Sequence, residues 1–129
     1  MENAAKKILI VEDDQFLREF YQELLQTEGY TIDLAADGEL ASQKISQGGY
    51  NLIMLDIMLP KKDGLQILKD LKITPPQAAN GPIVVLTNLG QDSIIKQAFD
   101  FGAAGYIVKS AMNPDQILEE IKNYLNSAK

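Results

Sequence analysis

Apolar positions along the chain alternate between two periods. "KKILIV" (6–11) is a short β-branched run and predicts a strand. Phe16, Leu17, Phe20, Leu24 and Leu25 then form a helical stripe, with Asp14 placed to cap and Gly29 to terminate. "YTIDLA" (30–35) alternates as a less buried strand would, and Asp37 caps a helix carried by Leu40, Ala41 and Ile45 up to Gly48-Gly49. "NLIML" (51–55) is continuously apolar, and Leu65, Leu68 and Leu71 mark the helix after it. Beyond a proline-bearing loop, "TPPQAANGP" (74–82), lies a fourth strand, "IVVL" (83–86), followed by a helix through Ile94, Ile95, Ala98 and Phe99 closed by Gly102. "YIV" (106–108) is a fifth strand. The last helix opens with Asn113 as N-cap, Pro114 at the first helical position and Gln116 two further on, and its core face is Ile117, Leu118, Ile121 and Leu125. Five β-α repeats without a composition break predict one domain over 1–129, an α/β fold with a parallel sheet between helices on both faces.

In such a sheet ligands bind beyond the carboxyl ends of the strands. Glu12, Asp13 and Asp14 follow the first strand, Asp56 the third, Thr87 the fourth and Lys109 the fifth. Taken singly, Asp14 reads as a helix cap, Glu12 and Asp13 as a solvated turn, Asp56 as a turn-former, Thr87 as a strand residue and Lys109 as a surface charge. All on one edge of the sheet, they read differently. Two carboxylates about 5 Å apart repel by roughly 3 kcal/mol at an effective dielectric near 20, so the cluster needs compensating cations. Lys109 supplies one charge, and a divalent ion supplies the rest.

Composition narrows the chemistry. The 129 residues contain no cysteine and no histidine. That excludes disulfides, thiolate chemistry, imidazole-based triads, the usual zinc sites and a phosphohistidine carrier. It also makes a cytoplasmic location the expectation. A formal net charge of −6 argues against direct binding of nucleic acid, and no apolar run approaches the length of about 20 residues that spans a bilayer. Neither GxGxxG nor GxxxxGK[ST] is present, so dinucleotide and P-loop sites are excluded. Oxygen ligands alone suit Mg²⁺. A carboxylate beside Mg²⁺, a hydroxyl and an ammonium is a phosphoryl-accepting site: Asp56 attacks phosphorus, while Thr87 and Lys109 bind the phosphoryl oxygens. The charge inside the apolar stretch "LIMLDIMLPKKDG" (52–64) then has a purpose, because a rigid central strand holds that acid in place.

These residues resemble the receiver domain of two-component response regulators, of the chemotaxis-receiver kind. "ILIVEDD" is similar to its acidic first-strand segment, "LDIMLPKKDG" to its phosphoacceptor segment, "VVLTN" to the strand carrying its switch hydroxyl and "GAAGYIVKS" to the segment with its switch aromatic and lysine. The resemblance covers essentially the whole chain. It implies a flavodoxin-like (βα)5 sheet of order 2-1-3-4-5, with Asp56 accepting a phosphoryl group from a phosphohistidine donor in an Mg²⁺-dependent reaction. It implies Asp13 as a direct metal ligand, Glu12 as the second acid, a Met58 backbone carbonyl on the metal, and Tyr106 as a rotamer switch. Pro60 and Gly64 shape the loop after Asp56. The implied partners are a sensor histidine kinase or histidine phosphotransfer protein, and a downstream protein at the face of the fourth helix, fifth strand and fifth helix.

Three positions depart from the family pattern. Ser110 stands where proline usually follows the lysine, so a trans peptide is expected. Asn88, larger than the usual residue, narrows access to the phosphoryl group, and the loop at 74–82 is long. Two other functions were weighed. A Mg²⁺-dependent phosphohydrolase needs an acid two residues after Asp56, where Met58 stands. A receiver-like interaction module that works without phosphorylation leaves Asp56, Thr87 and Lys109 unexplained. No effector domain is present, so the sequence is a stand-alone receiver or a piece of a longer regulator; Met1 and the polar end "NSAK" favour the first.

Overall fold

The computed structural model describes residues 6–88 and 90–127. Five strands alternate with five helices: β1 Lys7–Val11, α1 Gln15–Thr27, β2 Thr31–Ala35, α2 Gly38–Gln47, β3 Leu52–Asp56, α3 Gly64–Ile73, β4 Ile83–Thr87, α4 Asp92–Asp100, β5 Gly105–Val108 and α5 Pro114–Ser127. The strands pair in parallel in the order β2-β1-β3-β4-β5, the doubly wound, flavodoxin-like topology. Each lies within a residue of its expected bounds, and the peptide bond before Ser110 is trans.

Side-chain alternation splits the core into two layers. Ile8, Ile10, Met54, Leu86 and Ile107 meet Tyr21 and Leu25 of α1 and Ile117 and Ile121 of α5. Leu9, Val11, Leu55 and Val85 meet Ala41 and Ile45 of α2, Ile67 and Leu68 of α3 and Ala98 of α4. The central strand β3 is buried at all five positions, as a strand covered on both faces must be. The stripe on α1 runs one residue later than expected. Leu17, Phe20, Tyr21, Leu24 and Leu25 follow the i, i+3, i+4, i+7, i+8 spacing, whereas Phe16 falls outside it and is 78% exposed. Phe99, expected to line the core face of α4, is also exposed.

Local signals define the helix ends. The side chains of Asp14, Asp37 and Asp63 accept from the backbone amides of Leu17, Leu40 and Gln66. At α5, Asn113 and Gln116 exchange reciprocal bonds of 2.9 Å, a capping box. The long loop at 74–82 serves the far end of α2. The amides of Gln77 and Ala78 donate to Ser46 and Gln47 carbonyls at 2.7 and 3.1 Å, and Asn80 Nδ2 donates to the Ile45 carbonyl at 3.1 Å. Carbonyls left orphaned at a helix C-terminus are thus satisfied by a loop from elsewhere in the chain.

This seating fixes Gly48, whose φ is +82° and whose α-hydrogen faces the Ala78 carbonyl where a Cβ would come to 1.7 Å. Gly49 has a similar φ of +95° with nothing within 4 Å of a Cβ. Gly49→Ala should therefore cost only backbone strain, about 1 kcal/mol. Gly48→Ala adds displacement of the loop and should cost about 2–3 kcal/mol, read as the shift in urea unfolding midpoint. Equal losses would mean the loop is not seated against α2.

Candidate functional site

Parallel registers bring the strand ends level: Val11 pairs with Leu55, Asp56 with Leu86 and Thr87 with Val108. The polar residues that end or follow β1, β3, β4 and β5 therefore gather at one edge of the sheet. Glu12 and Asp56 continue the alternation of Ile10 and Met54, which places both on the α1–α5 side. Both are buried, at 0% and 2% exposure, while Asp13 is exposed. Oxygens from Glu12, Asp13 and Asp56 lie within 4.8 Å of one another. At that spacing each pair of ionised carboxylates repels by about 3 kcal/mol at an effective dielectric of 20.

Lys109 answers part of this charge. Its backbone amide donates to the Thr87 carbonyl at 2.8 Å, which fixes the start of its side chain. Its Nζ lies 2.8 Å from Asp56 Oδ2 and 2.8 Å from Glu12 Oε1. Only the bond to Asp56 has hydrogen-bond geometry, so Glu12 Oε1 is ion-paired yet remains a buried oxygen with no hydrogen-bond donor. Burial pushes the Glu12 carboxyl up to about 7, with Asp56 adding to the rise and Lys109 and the Asp14 amide opposing it. Desolvation pulls Lys109 down, but its close pairing with both Asp56 and Glu12 outweighs it and holds its ammonium above the ordinary value.

Asp56 is held at both oxygens. Oδ2 meets Lys109, and Oδ1 accepts from the Met58 amide at 3.1 Å. That turn is tight: the Gly64 amide donates to the Ile57 carbonyl at 3.0 Å, and a Cβ on Gly64 would come within 2.9 Å of the backbone of Asp56 and Ile57. The Met58 side chain is exposed, so no acid or base stands two residues after Asp56. On the other flank, Arg18 Nη1 donates to the carbonyls of Glu12 and Asp13 at 2.8 and 3.3 Å and steadies the acidic turn.

Thr87 is buried at the same edge of the sheet, yet its hydroxyl donates to Gln91 Oε1 and the Asn88 carbonyl rather than to Asp56. Alternation puts it with Val85 on the α4 side of the sheet. Tyr106 lies away from the acids on β5, 42% exposed, with its ring edge-on to Phe99 at 6.2 Å. Asn88 lines the cleft with Asp56 and Lys109, as the sequence suggests. Arg18, Gln91 and Tyr21 escaped the sequence reading. Arg18 and Gln91 are ordinary polar residues whose contacts depend on how a helix abuts a turn, and Tyr21 was hidden by the misplaced stripe.

The geometry can do two things. Three carboxylates open to solvent on one side can bind a hard cation through oxygen. A fixed, buried carboxylate with an ammonium beside it can receive an electrophile whose developing charge the ammonium offsets.

Residues 8–122 match the response regulator receiver domain. The chain is 38% identical over 116 residues to the transcriptional regulatory protein DltR of Streptococcus agalactiae, covering 90% of this chain and 50% of that protein. It is 31% identical over 123 residues to the chemotaxis protein CheY of Halobacterium salinarum, covering 95% of this chain and 99% of that one. A solved CheY-like receiver domain protein from Methanospirillum hungatei superposes with a TM-score of 0.84 at 29% identity, with 97% of each chain covered. The chain spans about half the length of the transcriptional regulators it matches. By sequence over most of its length, and by fold, the chain belongs to the response regulator receiver domains, a family of signalling domains.

Proposed function

We propose that this protein is a phosphoacceptor switch: Asp56 takes a phosphoryl group from a phosphohistidine on a sensor kinase or phosphotransfer protein. The observation that carries this is the Asp56 carboxylate itself, buried and anchored at both oxygens, facing one lysine and two further acids. An Asp56 oxygen attacks phosphorus, the P–N bond breaks, and its electron pair leaves with the donor imidazole. Lys109 then binds a phosphoryl oxygen beside the two acids it already contacts, and Thr87, once turned from Gln91, donates to another.

The acidic cluster fits Mg²⁺. Glu12 Oε1 is buried with only the Lys109 ammonium beside it, an ammonium shared with Asp56, the ligand set is all oxygen, and Asp13 faces solvent where a partly hydrated ion enters. Asp13, Asp56 and the Met58 carbonyl would hold it, with Glu12 behind them. When bound, the ion would neutralise charge on the phosphoryl oxygens. Lys109 offsets the charge of Asp56 and Glu12 directly, and Arg18 holds the backbone of the acidic turn. The output face comprises α4, β5 and α5, where Tyr106 stands half exposed, and the partners there would be proteins. The domain's −6 charge supports this over direct contact with nucleic acid.

Two measurements test this reading. With Mg²⁺ and a small acyl-phosphate donor, the intact mass should rise by one phosphoryl group that hydroxylamine removes. Asp56→Asn should not gain it, whereas Asp37→Asn, which removes only a helix cap, should gain it as wild type does. Labelling that persists in Asp56→Asn would show that another side chain is the acceptor. For the switch, beryllofluoride with Mg²⁺ should bury the Tyr106 ring and shift the amides of residues 90–108. Signals that move only around Asp56 would show that Tyr106 is a static strand residue.

A further inference from the structure

Gln91 makes an unusual choice of partners. It stands at the N-cap position of α4, yet makes no side-chain bond to its own helix. Instead Gln91 Oε1 accepts two hydrogen bonds from the end of β4, one from the Thr87 hydroxyl at 2.5 Å and one from the Asn88 backbone amide at 3.0 Å. An amide N–H can only donate, so the atom facing Asn88 must be the carbonyl oxygen, and the orientation of this side chain is settled by chemistry. Asn88 lines the cleft that holds Asp56, and Thr87, almost wholly buried, ends β4 beside the strand that carries Asp56. Thr87 has one hydroxyl proton. Gln91 Oε1 at 2.5 Å is its nearer acceptor, the Asn88 carbonyl at 3.2 Å its weaker one, and while Gln91 holds it, it cannot be given to an oxygen on Asp56.

We infer that Gln91 is an internal surrogate for the phosphoryl oxygen: its carbonyl occupies the Thr87 hydroxyl and the Asn88 amide in the resting protein, and must be displaced for the phosphorylated state to form. The inference rests on Asp56 as phosphoacceptor and adds the residue that sets how readily the site closes. An acceptor that is satisfied in one state and displaced in the other acts as a competing ligand tethered to the protein. It lowers the apparent affinity for the phosphoryl group by the factor with which it holds the resting state. Because Gln91 begins α4, the same exchange ties the Thr87 hydroxyl to the first turn of that helix. Gln91, three residues on, is thus a second source of interference beside Asn88, whose backbone amide and carbonyl bond to Gln91 and Thr87.

Gln91 is a positioning residue, and substitutions of opposite sign test it. Gln91→Ala removes the competing acceptor without removing a helix-capping bond, and should raise beryllofluoride affinity in Mg²⁺ about fivefold. Gln91→Glu places a charged, stronger acceptor on the same donors and should lower that affinity by about tenfold. In a Thr87→Ala background the gain from Gln91→Ala should shrink by at least about half, because one of the two contested donors is gone. Without any ligand, exchange of the Asn88 amide with solvent should quicken in Gln91→Ala. Ala and Glu variants that shift affinity in the same direction, or an Asn88 amide that exchanges equally fast in both proteins, would overturn the surrogate role while wild-type binding persists. Failure of the wild type itself to bind beryllofluoride would instead overturn the phosphoacceptor reading, and this inference with it.

Discussion

Lys109 stands between two buried carboxylates, and the whole edge of the sheet is arranged around that shortage of positive charge. One ammonium at 2.8 Å from both Asp56 and Glu12 cannot neutralise three acids within 4.8 Å of each other. Glu12 carries the consequence, since burial lifts its carboxyl to about 7. A folded-state value above the unfolded one means that the proton on Glu12 favours the fold. That contribution is fully present below the ordinary carboxylate range and is lost as pH rises toward about 7. Near neutral pH the metal-free site is therefore held in some tension, relieved by any cation that joins Lys109. The proposed function rests on a charge deficit that the fold maintains.

The fold maintains it by burying everything around it. β3 is covered on both faces, its register with β1 and β4 is fixed by alternating apolar layers, and the turn beyond it leaves no room at Gly64 for a side chain. Asp56 thus has no retreat to solvent. At the next strand the arrangement is different: the Thr87 hydroxyl already has two acceptors, Gln91 Oε1 and the Asn88 carbonyl. On the proposed reading, the rigid half of the site would bind charge, and the half able to exchange partners would pass binding on to α4.

Much of this was legible in the sequence because it depends on local or one-dimensional rules. The five β-α repeats, the caps at Asp14, Asp37 and Asn113, and the gathering of Glu12, Asp13, Asp56, Thr87 and Lys109 at strand ends follow from periodicity and from the geometry of parallel sheets. The misses share a different cause. Phe16 sits one residue off a stripe whose phase depends on where α1 meets the sheet, so Tyr21 takes the buried place. The 74–82 loop looks like a simple connector until its amides are found on the carbonyls of α2. Gln91 and Arg18 act through side chains that reach across element boundaries, and no pattern of residue types announces such contacts.

Binding of a divalent cation by the acidic cluster, as proposed, can be read without any phosphoryl chemistry. The direct measurement is an NMR titration of the protein with Mg²⁺ near neutral pH, following backbone amides. The amides of residues 12–14 and 56–58 should move together and saturate, and Asp13→Asn should lose most of that response. Amides that stay still, or an Asp13→Asn protein that titrates as the wild type does, would contradict it.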